Sequence, residues 1–428
     1  MGILATLRNA WKIADLKKKI LYTALIVLLF RIGSGIPVPF LANDSLEGIF
    51  SPNTLLGYMN MLSGGALSVG TIFALTIQPY INASIIIQLL TVAIPYFERL
   101  AKDDSAEKKG RKKLNKITRY TTIVIALLQA FGYYQLLGDM VVTGSNGFEN
   151  FIIGASIIIT LVAGSCLVMW MGESIDEKGI GNGISMILFA SIVSRAPELL
   201  SFCWSNITGG TWWLAVIVLV LGVAMFGLIV FMDSAERRIT IQYAKRQVGR
   251  KIYGGQKQQL PVKVCMTGVM PIIFAFAITS LPATIGAFFP NSWFYTFINN
   301  WFGQTSIIYM VVSFALIIAF NYFYIAIQYN ASDIAKQLRE NGGTIPGIRP
   351  GRPTVDFIMN TVNKITLFGA IYLGVIAIFP YILQAIFPGM GNIALGGTSM
   401  MILVSVALET VKVLEAQMIQ RNMPSVLD

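Results

Sequence analysis

Positive charge in this chain is confined to every second one of the segments that separate its long apolar runs. All but two of the 32 lysines and arginines fall in residues 1–19, 98–119, 172–183, 233–263, 329–364 and 412–428; the exceptions are Arg31 and Arg195. Between and around these segments lie ten apolar stretches: 20–36, 71–94, 117–137, 151–171, 184–202, 212–232, 264–289, 307–327, 365–387 and 399–414. A hydrocarbon core about 30 Å thick is crossed by roughly 20 residues of helix, so each stretch reads as a membrane span. The segments 37–70, 138–150, 203–211, 290–306 and 388–398 contain neither lysine nor arginine. Loops rich in these residues stay on the cytoplasmic side, which turns those five outward and leaves both termini in the cytoplasm.

With 428 residues, 55% of them hydrophobic and 12% charged, the chain does not fit a soluble globular domain. Continuous apolar runs containing Gly and Pro point to an all-α, polytopic membrane bundle rather than a β-barrel, whose strands would alternate. Residues 1–16 are basic and amphipathic with no small-residue cleavage site after the first apolar run, so they are expected to lie along the membrane surface and not to be removed. The net charge of +11 is the charge that orients the spans, so nucleic acid need not be invoked for it. Cys166, Cys203 and Cys265 have no metal-site or disulfide-framework spacing. The absence of histidine removes Ser-His-Asp triads, imidazole acid-base catalysis and imidazole metal ligands together. No cofactor and no metal are expected.

The spans hold few ionisable groups. Arg31 is placed near the middle of the first, and Glu409 and Lys412 toward the cytoplasmic end of the tenth. An ion-coupled carrier needs intramembrane acids or bases, and this chain is poorly supplied. Interior polarity comes instead from Gln78, Asn82, Ser84, Gln88, Gln129, Thr279, Ser280 and Thr284, which must face protein or water. Pro79, Pro271 and Pro282 are expected to interrupt their helices beside a cavity or a moving part. The outward segment 54–70, TLLGYMNMLSGGALSVG, is apolar, too short to span and rich in Gly and Ser. It reads as a re-entrant half-helix or an interfacial stretch that packs lightly.

Cytoplasmic loops 233–263 and 329–364 are far longer than ordinary connections. The alternation in ERRITIQYAKR, 236–246, favours an extended hairpin, and PGIRPGRPT, 346–354, presents arginines on a rigid turn. Fixed guanidinium groups suit phosphate or carboxylate recognition, so both loops are expected to dock a large partner.

The segments FRIG and IPVP (30–39), SGGALS (63–68), PYI and ASIIIQLL (79–90), GIGNGIS (179–185), ERR and YAKR (236–246), PGIRPG (346–351) and GGTS (396–399) resemble, in order and spacing, the SecY family over essentially the whole chain. The resemblance implies two inverted five-helix halves, 20–202 and 212–414, hinged at 203–211 around a central pore, with a cytoplasmic tail at 415–428. It places a pore ring at Ile77, Ile81, Ile184, Leu188, Ile273 and Ile402, with Leu188 standing where some relatives have isoleucine. A collar of branched aliphatic side chains can dewet and yet yield to a peptide. It makes Leu56, Tyr58, Met59, Asn60, Met61, Leu62, Ser63, Gly64, Gly65, Ala66, Leu67 and Ser68 the plug. Asn82, Gln88, Gln129 and Thr284 become candidates for a lateral gate framed by spans two, three, seven and eight. Arg237, Arg238, Lys245, Arg246 and Arg349 would receive the ribosome or the motor ATPase SecA. SecE and SecG are implied as partner subunits, preproteins and signal peptides as substrates, and membrane lipid as the lateral destination. The chain has no phosphate-binding loop of its own, so the ATPase must be another protein.

Three other readings compete. A small-solute secondary transporter would need intramembrane ion sites, and an intramembrane enzyme would need paired carboxylates or histidine. An accessory SecY paralogue with a restricted substrate set would share the general motifs. The full motif set favours the general protein-conducting channel of the cytoplasmic membrane.

Overall fold

The computed structural model describes residues 3–41, 64–101, 109–137, 141–142, 146–210, 212–243, 245–248, 251–254, 257–287, 292–293, 297, 301, 306–386 and 397–422. Helices α1 (Ile3–Lys12) and α2 (Ala14–Gly33) open the chain, followed by α3 (Gln78–Ala93), α4 (Pro95–Ala101), α5 (Lys109–Leu137), α6 (Gly147–Lys178), α7 (Gly183–Val193) and α8 (Ala196–Thr208). The second half has α9 (Trp212–Ser234), α10 (Met270–Ala287), α11 (Ile307–Gln328), α12 (Ala331–Glu340), α13 (Arg352–Ile386) and α14 (Gly397–Asn422).

Among the described residues, α6, α9, α11 and α13 are each long and apolar enough to cross a membrane, and α3 with α4, bent by 108°, makes a fifth if the pair is one span. The remaining expected spans coincide with α2, α5, α7, α10 and α14. Their described residues fall short of that test: α7 has only 11 residues, while α2 and α5 begin in runs of lysine. The fifth stretch breaks at Ser194 and Arg195, and α8 then continues through most of the expected hinge loop.

The second stretch also differs from an unbroken helix. Residues 72–77 are turns, and α3 starts only at Gln78. Backbone groups in that irregular part are paired locally, Ala74 N donating to Thr71 O, Thr76 N to Phe73 O and Gln78 N to Leu75 O. Ile72 N donates to Ile36 O, and Val38 N to Gly70 O, each 2.9 Å. Such pairing is what non-helical backbone requires at membrane depth. Pro79 therefore starts a helix instead of interrupting one, and Pro271 is likewise in the first turn of α10; Pro282 alone of the three is interior. A first-turn N–H has no partner within its helix, so proline costs nothing there. Arg31 lies in the last turn of α2, exposed, rather than mid-span. A cation there complements the negative end of the helix dipole.

Two apolar cores result. One is built mainly from α10, α11 and α13, around Ile272, Phe274, Tyr309, Ile317, Leu373 and Ile376. The other joins α2, α6 and α7 around Ile26, Phe30, Val168, Ile175 and Ile187. Helix α14 serves both, giving Met401 and Val404 to the first and Ile402 and Val406 to the second.

The long basic loops are structured and joined. Strand β1 (Glu236–Tyr243) pairs antiparallel with β4 (Lys257–Lys263), and β2 (Lys245–Val248) with β3 (Lys251–Gly254). The 329–364 loop contributes α12 and β5 (Gly343–Thr344), whose Gly343 pairs with Tyr243. Ile239, Ile241 and Val262 of the hairpin bury themselves with Leu338, Ile345, Ile358 and Val362. Alternation along β1 places Ile239 and Ile241 on this core face and leaves Arg238 and Thr240 on the other.

Candidate functional site

Four elements converge on one apolar waist. The start of α3 brings Ile77 and Ile81, α7 brings Ile184 and Leu188, α10 brings Ile273 and α14 brings Ile402. All six belong to a single cluster, with Ile77, Leu188 and Ile402 buried and the other three partly so. The α6–α7 turn fixes where α7 begins. Asn182 caps α7 by accepting from Ser185 N at 3.2 Å, and Asp176 Oδ1 accepts from Gly183 N at 2.7 Å. Thr23 Oγ1 accepts from Ile180 N at 3.1 Å and so ties the turn to α2. A side chain on Gly183 would run into the Gly172 carbonyl, so glycine here lets the two helices touch.

Two cavities meet at this waist. The larger, about 360 Å³, opens among Asp233, Lys263, Glu409 and Lys412 on the face that carries the basic hairpin. The smaller, about 30 Å³, is lined by Thr76, Gln78, Ile81 and Asn82 together with Phe276 and Ala277. Leu188, Ile273 and Ile402 line both. A space of that smaller size holds about one water, too little for a hydrated ion, and its branched aliphatic wall offers an ion nothing to replace hydration.

Of the expected plug, Leu56, Tyr58, Met59, Asn60, Met61, Leu62 and Ser63 lie outside the described residues. Gly64, Gly65, Ala66, Leu67 and Ser68 form turns leading into Thr71. This stretch is fastened: Tyr133 donates to Leu67 O at 2.6 Å, Thr71 Oγ1 to Ala66 O at 3.2 Å and Ser68 Oγ to Gly65 O at 3.0 Å. Leu67 is buried with Val38, Leu75, Tyr133 and Leu161. Gly64, at φ +67, has no room for a side chain against Ser191 O and Ser194 Oγ at the α7–α8 break. The expectation of light packing does not hold for residues 64–68.

Of the gate candidates, Asn82, Gln88 and Gln129 are not drawn together by any hydrogen bond among the described residues, and the side chain of Thr284 lies outside them. Asn82 and Gln129 are buried, and the side-chain carbonyl oxygen of each has no hydrogen-bond partner among the described residues. Gln88 is half-buried farther along α3, and Thr284 belongs to α10. The helices themselves do meet, α10 resting against both α3 and α5. In the hairpin module Arg237, Arg238 and Arg349 are exposed; Arg238 Nε donates to Glu236 Oε1 at 2.7 Å. Lys245 and Arg246 stand in β2 opposite Gly254 and Tyr253.

The sequence did not show the charges of the larger cavity as a group, nor Tyr133 as a tether. Glu409 and Lys412 follow Ile402 at i+7 and i+10, spacing that could have placed them on one wall. Nothing local could have joined Tyr133 to Leu67, 66 residues apart.

Helices of membrane length, an interior narrowed to an aliphatic waist and a structured basic face define an integral membrane protein of the channel-like class. The SecY family model matches residues 71–411. A protein of Streptomyces galbus named protein translocase subunit SecY is 40% identical over 446 aligned positions, covering 98% of this chain and 99% of that one. The chain belongs to the SecY family. Its fold matches a solved structure described as a protein conducting channel, with TM-score 0.71, 18% identity and coverage of 96% and 95% of the two chains. It also matches Sec61 from a canine ribosome-channel complex, at TM-score 0.67, 17% identity and the same coverage.

Proposed function

We propose that this chain is the central channel subunit of a Sec translocase in the cytoplasmic membrane, with both termini in the cytoplasm. Its substrates are unfolded preproteins carrying signal peptides, and its hydrophobic products are transmembrane helices released sideways into lipid. The observation that carries the reading is the waist. Leu188 from the first half, with Ile273 and Ile402 from the second, divides one cavity from another. A constriction shared by two halves can widen when they part, and the contact of α10 with α3 and α5 is the seam along which the bundle would open to lipid.

The chain acts as a conduit, and the force comes from a partner. The exposed arginines of the joined hairpin module suit an acidic surface of SecA or ribosomal RNA phosphates. Ribosome docking is further supported by the relative described within a ribosome-channel complex. SecE and SecG complete the assembly. Residues 56–68 act as the plug, with the fastened stretch 66–68 as its stalk.

Ion conductance of vesicles holding this chain with SecE tests the reading. The intact protein is expected to leak little, and deletion of residues 56–68 to raise the leak. Ile81→Gly in the deleted background is expected to raise it again. Equal leak in all three would remove both plug and ring from the account.

A further inference from the structure

The larger cavity is charged in a way that the waist does not require. Four charged side chains line it: Asp233 at the end of α9, Lys263 at the end of β4, and Glu409 and Lys412 on α14. Lys412 Nζ lies 3.4 Å from Asp233 Oδ2, which engages both. Glu409 and Lys263 are exposed within the cavity and form no ion pair among the described residues. They stand on different elements, so a chain entering the cavity meets an unpaired carboxylate on the α14 side and an unpaired ammonium on the β4 side.

Their distance from the waist has a consequence. Ile402, Ser405, Val406, Glu409 and Lys412 follow one another at helical spacing, and all five line the cavity. A rise of 1.5 Å per residue puts Glu409 about 10 Å below Ile402 along the helix axis. An extended polypeptide covers that distance in about three residues. When an apolar segment of a substrate reaches the aliphatic waist, the residues about three positions away on the hairpin side lie beside Glu409.

We propose that Glu409 is a specificity-determining residue which holds the basic flank of an apolar segment while that segment engages the waist. Lys263 makes the opposite contact with acidic flanks. This inference rests on the reading that polypeptide passes the waist. The paired Asp233 and Lys412 keep α9 and α14 together and leave Glu409 as the carboxylate available to a passing lysine or arginine. One charge pair at a few ångströms in a partly hydrated cavity is expected to change rates by about three- to tenfold, and less at high salt.

The test uses proteoliposomes with the complete translocase, and two preproteins that differ only in carrying two lysines or two glutamines before the signal's apolar segment. Protected product is measured for the unaltered chain, Glu409→Gln, Glu409→Lys and Lys263→Gln. Glu409→Lys is expected to slow the lysine substrate about three- to tenfold relative to the glutamine one, Glu409→Gln less so, and Lys263→Gln not to slow it. The Glu409 effects are expected to shrink as KCl is raised. Equal slowing of both substrates would overturn the proposal and leave Glu409 a merely structural group. Failure of the unaltered chain to move either substrate would instead overturn the channel reading itself. A second measurement does not depend on rate. In a Cys265→Ser background, Glu409→Cys is expected to form a disulfide with a cysteine about three residues before the apolar segment of an arrested substrate. Crosslinking spread evenly along the substrate would overturn the placement.

Discussion

At Gly183 the chain has no room for a side chain, because a Cβ would collide with the Gly172 carbonyl. The next residue is Ile184, and Leu188 follows one turn later, so anything that pushes α7 away from α6 moves two members of the waist. Gly183→Ala is expected to cost about 1–3 kcal/mol through overpacking, read as a lowered unfolding temperature in detergent, and to raise ion leak in vesicles. Asn182→Ala separates the two effects. It removes the cap on Ser185 N without adding volume and should cost about 1 kcal/mol with a smaller change in leak. A leak from Asn182→Ala equal to that from Gly183→Ala would show that the helix start, and not the close approach, sets the waist.

On the scale of elements, the turns at 64–71 are tied to α5 by one long-range hydrogen bond, Tyr133 donating to Leu67 O. Tyr133→Phe keeps the ring of the buried tyrosine but leaves the Leu67 carbonyl without this donor. An unmade buried hydrogen bond costs about 1–3 kcal/mol, so hydrogen exchange at residues 66–71 is expected to quicken while the centre of α5 keeps its protection. Unchanged exchange there would show that burial alone holds these residues. The hairpin module makes a second prediction at this scale. Its two loops share one core, so Arg237, Arg238 and Arg349 are presented by a single rigid unit. Replacing all three by Glu is expected to weaken ribosome binding by at least tenfold and to flatten its salt dependence, as measured by cosedimentation across a KCl series. Weakened binding with an unchanged salt slope would assign these arginines a shape role and not a charge role.

For the whole molecule, the first helix and the last are fastened together. Thr6 Oγ1 donates to Glu415 Oε1 at 2.9 Å, and Ala10 and Leu16 are buried with Ile180, Leu414 and Met418. Helix α1 therefore packs on α14 and on α2, and α2 in turn holds the α6–α7 turn through Thr23. Removal of residues 3–12 is expected to lower the unfolding temperature by several degrees, and a Thr6→Cys, Glu415→Cys pair to form a disulfide under mild oxidation. A pair that stays reduced while each cysteine reacts freely with maleimide would mean that the strap is loose in the membrane. The helical stretches and the hairpin were legible in sequence, because apolar length and strand alternation are local signals. The breaks at 72–77 and at Ser194 and Arg195 were not, since both stretches are long and apolar and their turns pair mainly with backbone a few residues away, Ile72 N alone of those bonds reaching another segment, at Ile36 O.

Sequence alone determined that the chain is a membrane bundle with its positive charge on one face, since burial in lipid and charge retention act on each segment separately. The six waist residues could be named from motif resemblance, yet Ile184 and Ile402 lie at the edges of their apolar stretches and hydropathy ranks them no higher than their neighbours. Tertiary structure decided which aliphatic side chains share the waist, that two cavities close on Leu188, Ile273 and Ile402, and that Glu409 lines the wall below them without an ion pair among the described residues. Those features arise where α3, α7, α10 and α14 converge, and a relation among four distant helices is carried by their packing and by no one segment of the chain.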